Sequence, residues 1–150
     1  MKIIIQRVSE ASVKIEDKVV GEIKKGLLVL VGIENEDTLE DANWLASKII
    51  NLRIFSDENG LMNLSVKEIK GEILLISQFT LLAKTKKGNR PSFIQAAKPD
   101  VAIPLYETFK NLLETELNQP IQTGKFGADM QVSLLNNGPV TIVIDTKNKE

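Results

Sequence analysis

Three polar side chains follow one apolar segment in the middle of the chain. They are Ser77, Gln78 and Thr80, in the stretch ISQFTLLAKTKKGNRPSF. Polar groups among apolar neighbours need hydrogen-bond partners when they are buried. They either bond to backbone and water where a strand ends, or they present donors to a ligand there. A hydroxyl at such a site becomes a strong nucleophile only beside a base.

No conventional base or thiol nucleophile is available, because the chain has no histidine and no cysteine among its 150 residues. Their absence excludes Ser-His-Asp and Cys-His catalysis, imidazole general bases, thiolate sites and disulfide scaffolds. No carboxylate spacing indicates a metal site, so we expect neither a metal nor another cofactor. A hydrolytic reaction here would rely on positioning and on groups of the substrate itself.

A cluster of cations comes directly after the polar residues: Lys84, Lys86, Lys87 and Arg90. Most loops of this kind are solvated and simply keep a protein in solution. Beside a pocket, mobile cations would instead suit a phosphate-bearing substrate. Because the net charge of the chain is −1, a nucleic acid would have to be bound by such a local patch.

Two later segments allow a structural and a functional interpretation. In TGKFGADM, Phe126 and Met130 either plug the core from a connecting loop or form a wall against an apolar ligand. In NNGPVT, Asn-Gly and Gly-Pro favour a hairpin turn. Only about 5–6% of X-Pro bonds in folded proteins are cis, so the residues alone do not support a cis bond between Gly138 and Pro139.

The composition is that of an ordinary globular protein, with 43% hydrophobic and 26% charged residues. The length predicts a single domain over residues 1–150. The opening MKIIIQRVSE is too short in its apolar part for a signal peptide, and no apolar run approaches a membrane span. We therefore expect a cytoplasmic protein without a membrane partner.

Strands dominate the predicted structure, and two helices interrupt them. β-branched and apolar runs predict eight or nine strands, including GLLVLVGI buried on both faces, GEILLISQFTLLA, and two strands on either side of Asn136 to Pro139. Turns are expected at Glu16 to Lys18 and at Glu58 to Gly60. Short connections between these strands predict an α+β fold with an antiparallel or mixed, barrel-like sheet.

Each predicted helix has an apolar face and a candidate capping residue. The first begins after Thr38, with Asp41 completing a capping box, and the second runs from Asp100, its cap, to Leu117. Pro104 fits only near the first turn of that helix. The apolar faces are Leu39, Ala42, Ala46, Ile49 and Ile50 in the first helix, and Val101, Leu105, Phe109, Leu112 and Leu113 in the second.

Eight segments together resemble the D-aminoacyl-tRNA deacylase family, in the expected order and over nearly the whole chain. They are QRVSEASV, GLLVLVGI, LRIF, MNLSV, SQFTL, KKGNRPSF, TGKFGADM and NNGPVT. The resemblance implies hydrolysis of the ester between a D-amino acid and the terminal adenosine of a tRNA. It also implies a homodimer with two sites at its interface, acting in chiral proofreading during translation. We expect no DNA partner.

The resemblance also implies roles for individual residues. The pocket is lined by the segment Ser77, Gln78, Phe79, Thr80 and Leu81. A cis Gly138-Pro139 pair enters the partner subunit's pocket, and Arg7 holds the loop that carries it. Phe126 and Met130 form the adenosine pocket. The chain departs from the family pattern at Leu61, where lysine is common, and at Lys84, where an acidic or small residue often stands.

These residues lead to a mechanistic hypothesis. Backbone groups near Phe79 and the Thr80 hydroxyl orient the ester and stabilise an oxyanion, while the vicinal ribose hydroxyl helps to activate water. Rigid Gly138 and Pro139 exclude L-residues sterically, so glycine escapes in part. The basic cluster of Lys84, Lys86, Lys87 and Arg90 contacts tRNA phosphates. The alternatives are a non-catalytic module that binds RNA ends, a hydrolase of free D-amino acid esters, and a dimerisation domain.

Overall fold

The computed structural model describes residues 1–150 and contains eight strands and two α-helices. The strands are β1 (Lys2–Ile15), β2 (Lys18–Ile23), β3 (Gly26–Gly32), β4 (Phe55–Ser56), β5 (Met62–Leu64), β6 (Glu72–Ser77), β7 (Gln122–Thr123) and β8 (Gln131–Asp145). The α-helices are α1 (Leu39–Asn51) and α2 (Pro99–Leu117), and a 3-10 helix spans Phe79–Leu82.

Six strands form one mixed sheet, and its topology confirms the predicted α+β class. The order is β2-β1-β3-β6-β7, with β8 beside β1. β3, β6 and β7 are parallel, whereas β1 is antiparallel to β2, β3 and β8. A methyl group on Gly21 of β2 would lie 2.9 Å from the Thr123 carbonyl of β7. The two ends of the strand order therefore approach each other, and the sheet is nearly closed into a barrel.

The main hydrophobic core lies between the sheet and the two helices. β3 is buried on both faces, as its unbroken apolar sequence predicts. The capping box at α1 is also confirmed, because the Thr38 backbone N–H donates to the Asp41 carboxylate over 2.8 Å. The predicted turns are present as well, with left-handed Glu16 and Asp17 between β1 and β2 and left-handed Gly60 between β4 and β5. No helix has the length and apolar character needed to cross a membrane.

The helices differ from the prediction in their buried faces. Leu39 and Val101 lie in the first turn of α1 and α2 respectively, and both are exposed. Each lies at the helix end, outside the row that meets the sheet. Those rows are Ala42, Leu45, Ala46, Ile49 and Ile50 in α1, and Ala102, Tyr106, Phe109, Leu113 and Leu117 in α2.

The start of α2 also differs from the prediction. Lys98 is the N-cap and Pro99 the first helical residue, so Asp100 lies inside the first turn and does not cap the helix. A proline is favoured at this position because its fixed φ matches the helix and its missing N–H is not needed there. Pro104 removes a hydrogen bond further along, but packing of the apolar row continues the helix to Leu117.

Two strand predictions are wrong in a way that affects the site. β6 ends at Ser77, and the predicted continuation through Phe79 and Thr80 is a 3-10 helix. The predicted pair of strands around Asn136 to Pro139 is the single long strand β8, which pairs with β1 on both sides of the Gly-Pro sequence. Pairing with β1 overrides the local turn signal, and the extra residues bulge out of the sheet.

Candidate active site

A cavity of about 570 Å³ opens where β6 ends, and most of its lining residues are apolar. Two distant segments of the chain meet there, the polar strand end and TGKFGADM. The predicted site residues that line it are Ser77, Gln78, Phe79, Phe126 and Met130. The structure therefore gathers these five residues at one site.

The strand end is held in place by backbone hydrogen bonds. The Gln78 N–H donates to the Val31 carbonyl of β3 over 2.7 Å, although β6 has ended one residue earlier. The Gln78 carbonyl then accepts from the Leu81 N–H over 3.2 Å. These bonds turn the chain away from the sheet at Gln78 and fix the direction in which the next residues leave it.

Thr80 lies next to this cavity rather than among its lining residues, and its side chain is exposed. The Gln78 side-chain amide donates a hydrogen bond to the Thr80 hydroxyl oxygen. Because that oxygen accepts from Gln78, the hydroxyl proton remains available to another acceptor. The arrangement suits Thr80 as a hydrogen-bond donor, and no base is in contact with it.

An aromatic pair forms one wall of the cavity. The rings of Phe79 and Phe93 meet edge to face, with centroids 5.0 Å apart, a favourable geometry for aromatic side chains. Phe93 is brought to this place by the pairing of Lys84 with Ser92, whose two backbone hydrogen bonds measure 2.8 and 3.0 Å. The same pairing closes the base of the basic loop beside the cavity.

The basic loop itself projects into solvent and does not line the cavity. Its four cations, Lys84, Lys86, Lys87 and Arg90, are all exposed and form no ion pair within the chain. Their charge is therefore not neutralised by the protein.

A second wall of the cavity, which contains Phe126, is supported from inside the core. The Phe126 ring contacts the Tyr106 ring edge to face, with centroids 5.6 Å apart. The buried Tyr106 hydroxyl donates to the Leu75 carbonyl of β6 over 3.4 Å. Burial, and to a smaller extent the charge of Glu107, raises the pKa of Tyr106 well above its usual value. Tyr106 is therefore a neutral donor that ties this wall to β6.

Met130 lies over a glycine in the same wall. A methyl group on Gly124 would overlap the Met130 sulfur and would also contact Ile76. The absence of a side chain at Gly124 therefore leaves the space that the Met130 thioether occupies. Packing against Met130 is therefore a sufficient reason for glycine at position 124, the first glycine of TGKFGADM.

A bulge in β8 carries the Gly-Pro sequence out of the sheet. Val8 of β1 pairs with Asn136, and Gln6 pairs with Thr141, so residues 137–140 stand opposite one residue of β1. The Asn136 side chain closes this bulge, because its oxygen accepts from the Val140 N–H over 3.0 Å and its amide donates to the Thr141 hydroxyl over 3.0 Å.

Arg7 is the residue of β1 that stands opposite the bulge. Its Nε donates to the Asn137 carbonyl over 2.9 Å, and its Nη1 donates to the Ile54 carbonyl over 2.7 Å. The Gly138-Pro139 peptide bond is cis, and both residues are exposed. Neither residue lines the cavity of its own chain, so the bulge is presented outward.

Comparison with known proteins places the chain in a family. The model of the family described as D-Tyr-tRNA(Tyr) deacylase matches residues 4–145. The chain belongs to this family. It is 68% identical to the D-aminoacyl-tRNA deacylase of Flavobacterium psychrophilum and 62% identical to that of Bacteroides fragilis, in each case over 150 residues and 100% of both chains.

Solved structures agree with the deacylase family fold. One, named c-Myc DNA Unwinding Element Binding Protein, superimposes with a TM-score of 0.90 at 42% identity and covers 97% of this chain and 99% of its own. A second, described as a probable eukaryotic D-amino acid tRNA deacylase, has a TM-score of 0.81 at 18% identity and covers 95% and 97%. The second likeness supports the fold alone.

Several site residues of this deacylase family member were not identified from the sequence. Tyr106 lies at helical spacing from Phe109, so a corrected face for α2 would have found it as a core residue. Asn136 precedes a Gly-Pro turn, where an Asn side chain often bonds to the backbone. Asp129, which also lines the cavity, is next to Met130 in TGKFGADM and could have been found from that position. Phe93 lines the cavity too, but its place depends on tertiary contacts that leave no local signal in the sequence.

Proposed function

We propose that this protein hydrolyses the ester bond of D-aminoacyl-tRNA and releases the free D-amino acid and tRNA. The observation that carries the proposal is the cavity where Ser77, Gln78 and Phe79 meet Phe126 and Met130, in a chain 68% identical over its full length to a D-aminoacyl-tRNA deacylase. The apolar wall suits a nucleoside, and the polar strand end suits the ester. We extend the substrates to mischarged glycyl-tRNA.

The proposed chemistry needs no histidine, because an aminoacyl ester is already reactive. The Thr80 hydroxyl, whose oxygen accepts from Gln78, donates to the ester carbonyl as negative charge develops there. A donor of this kind contributes about 3 kcal/mol to transition-state stabilisation. The vicinal ribose hydroxyl assists the attacking water. Thr80 is thus a positioning and oxyanion-stabilising group, and no cofactor is required.

We propose that a second copy of the chain supplies the filter that excludes L-aminoacyl substrates. The Gly138-Pro139 bulge faces outward from its own subunit and lies outside its own cavity. In a homodimer it would enter the partner's cavity and occupy the space where an L-side chain would project. Glycine has no side chain to exclude, so glycyl-tRNA escapes the filter in part. The exposed Leu135, close to this bulge in the sequence, supports burial of the surface in a dimer.

We further propose that the exposed, unpaired cations of the basic loop bind phosphates of the tRNA acceptor end. The pair of Lys84 and Ser92 closes the loop, and Ser92 is followed by Phe93 of the cavity wall. Phosphates bound by the loop would therefore lie next to the nucleoside. We also propose that residues 1–150 act as one domain in the cytoplasm, where aminoacyl-tRNA is used.

The decisive experiment compares release of amino acid from matched D-, L- and glycyl-tRNA by the purified protein. Fast hydrolysis of the D-ester and of the glycyl ester, with the L-ester spared, supports the proposal. Binding of tRNA without hydrolysis of any of them would favour the alternative, a non-catalytic module for the tRNA acceptor end. Rapid hydrolysis of free D-amino acid esters that tRNA does not inhibit would instead indicate a small-molecule hydrolase.

Variants at position 80 test the proposed mechanism. Thr80→Ala and Thr80→Gly remove the hydroxyl, and we expect kcat to fall by about 10²-fold or more, whereas Thr80→Ser retains most activity. Full activity in both Thr80→Ala and Thr80→Gly would contradict the donor role. A trapped acyl ester on Thr80 would contradict it too, because it would make Thr80 the nucleophile.

A further inference from the structure

The cavity contains a single carboxylate, and neither its position nor its charge is used by the proposed chemistry. Only two of the lining residues carry charge, Lys98 and Asp129. Lys98 has only donors, whereas an ionised Asp129 has only acceptors. The hydrogen-bonding contact of the Asp129 side chain is one from the Gln131 amide over 3.5 Å, and it forms no ion pair. Most of its acceptor capacity is therefore free.

The place of Asp129 in the chain relates it to the nucleoside. A tight turn over residues 125–128 contains left-handed Gly127 and is closed by a hydrogen bond from the Ala128 N–H to the Lys125 carbonyl over 3.1 Å, and Asp129 follows it directly, before Met130. Phe126, Asp129 and Met130 line the same cavity, so a base in contact with Phe126 and Met130 would lie beside the residues that connect them. Asp129 is the residue of that connection whose side chain can accept a hydrogen bond.

We propose that Asp129 is a specificity-determining residue that accepts a hydrogen bond from the exocyclic amino group of the terminal adenine. This inference rests on the proposed function, because it assumes a tRNA 3′ end in the cavity. A carboxylate favours a base that carries a donor at this position and repels one that carries a carbonyl oxygen. Adenine has the amino group, and hypoxanthine has an oxygen in the same place.

The test compares D-aminoacyl-tRNA that ends in adenosine with the same tRNA ending in inosine. The ester and both ribose hydroxyls are identical in the two substrates, so the comparison isolates the base edge. We expect the wild-type protein to prefer adenosine by roughly tenfold in kcat/KM, mainly through KM. In Asp129→Asn the side-chain amide can donate to the inosine oxygen, so the preference should fall to about one or reverse.

Asp100→Asn is the matched control, because Asp100 is also exposed and does not line the cavity. It should keep the wild-type preference. An equal preference in the wild-type protein and in Asp129→Asn would overturn the inference, as would a wild-type protein indifferent to the base.

The binding of uncharged tRNAs ending in adenosine or inosine provides a second measurement that does not need hydrolysis. If no ester is hydrolysed, the proposed function fails, but an adenosine preference in the dissociation constants that Asp129→Asn removes would still support the assignment. If D-esters are hydrolysed and neither assay distinguishes the bases, the assignment fails and the proposed function stands.

Discussion

The Nε of Arg7 in β1 donates a hydrogen bond to the Asn137 carbonyl in the bulge of β8 over 2.9 Å. The same guanidinium reaches the Ile54 carbonyl over 2.7 Å through Nη1. Two donors of a rigid planar group therefore join three parts of the chain. A lysine cannot reproduce this geometry, because its single ammonium is a point charge on a flexible stem.

Arg7→Lys should therefore loosen the bulge that carries Gly138 and Pro139. We expect stability to fall by about 1–3 kcal/mol from the loss of charged hydrogen bonds, and the ratio of D- to L-aminoacyl-tRNA hydrolysis to fall by about tenfold. Urea unfolding and kcat/KM for both esters measure the two effects. Arg53→Lys is the control, because Arg53 also donates from Nε to a backbone carbonyl, that of Asn63, over 3.0 Å. A similar loss of chiral selectivity in both variants would contradict a special role for Arg7.

Gly138 has little space for a side chain. Its φ of +133° disfavours other residues, and a methyl group there would lie 2.7 Å from Arg7 Nη2 and 3.0 Å from a Val140 methyl group. Gly138→Ala should cost about 2 kcal/mol or more and reduce deacylation, since both the backbone and the arginine must move. Thermal unfolding and the hydrolysis assay measure this.

Gly60→Ala separates backbone strain from the steric clash at Gly138. Gly60 also has a positive φ, +78°, but nothing lies within 4 Å of its added methyl group. We expect it to cost about 1 kcal/mol with unchanged deacylation. If Gly138→Ala and Gly60→Ala had equal effects on stability and on activity, the steric contact with Arg7 would not contribute to either.

The sequence predicted β3 and the start of α1 well, because these depend on local patterns. The apolar run of β3 and the Thr38–Asp41 capping box indicate structure within a few residues, and both are present. The continuity of β8 could not be predicted in the same way. Gly138 and Pro139 favour a turn locally, and only the distant pairing with β1 keeps one strand on both sides of them.

The candidate site was predictable only in part, for a similar reason. Ser77 and Gln78 stood out as polar residues after an apolar strand, and Phe126 and Met130 as a possible wall against an apolar ligand, which the family resemblance identified with an adenosine pocket. Phe93 reaches the cavity because Lys84 pairs with Ser92 across the basic loop. Such cross-loop pairing leaves no periodic signal in the sequence, so residues placed by it are found only in the folded chain.

Gly124→Ala should displace the Met130 thioether without unfolding the chain, since the obstructing atom belongs to a flexible side chain. The displaced sulfur would enter the cavity, so we expect KM for D-aminoacyl-tRNA to rise several-fold with little change in kcat. In the background of Met130→Ala the same substitution should have a much smaller effect, because the two residues are in contact. Additive effects in this double-mutant cycle would contradict the packing argument.

The carboxyl of Asp41 gives a pH-dependent contribution to stability. Burial alone would raise the pKa of Asp41, but hydrogen bonds from Thr38, Thr146 and Lys147 together hold it well below its usual value. The folded state therefore binds this proton less readily than the unfolded state, whose aspartates titrate at about pH 3.9. The stabilisation is complete above that pH and is lost as the pH falls through the lowered pKa.

Asp41→Asn should accordingly lower stability at pH 7 by about 1 kcal/mol, and its difference from the wild type should shrink below pH 4. Urea unfolding of both proteins at several pH values between 2.5 and 7 measures this difference. Glu40→Gln removes a charge from the same helical turn without removing these hydrogen bonds. The difference in stability between this variant and the wild type should therefore change less with pH. A constant difference for Asp41→Asn would contradict the contribution from the carboxylate.

The cations of the basic loop should determine how strongly salt weakens tRNA binding. Each lysine or arginine that contacts a phosphate contributes roughly 0.7–0.9 to the slope of log K against log salt concentration. Replacing Lys86, Lys87 and Arg90 by alanine should therefore reduce the slope by about 2 and weaken binding at low salt. Replacing Lys14, Lys18 and Lys67 by alanine removes the same charge from exposed positions outside the loop and should leave the slope nearly unchanged. Equal slopes for the two triple variants would mean that the loop acts only through net charge.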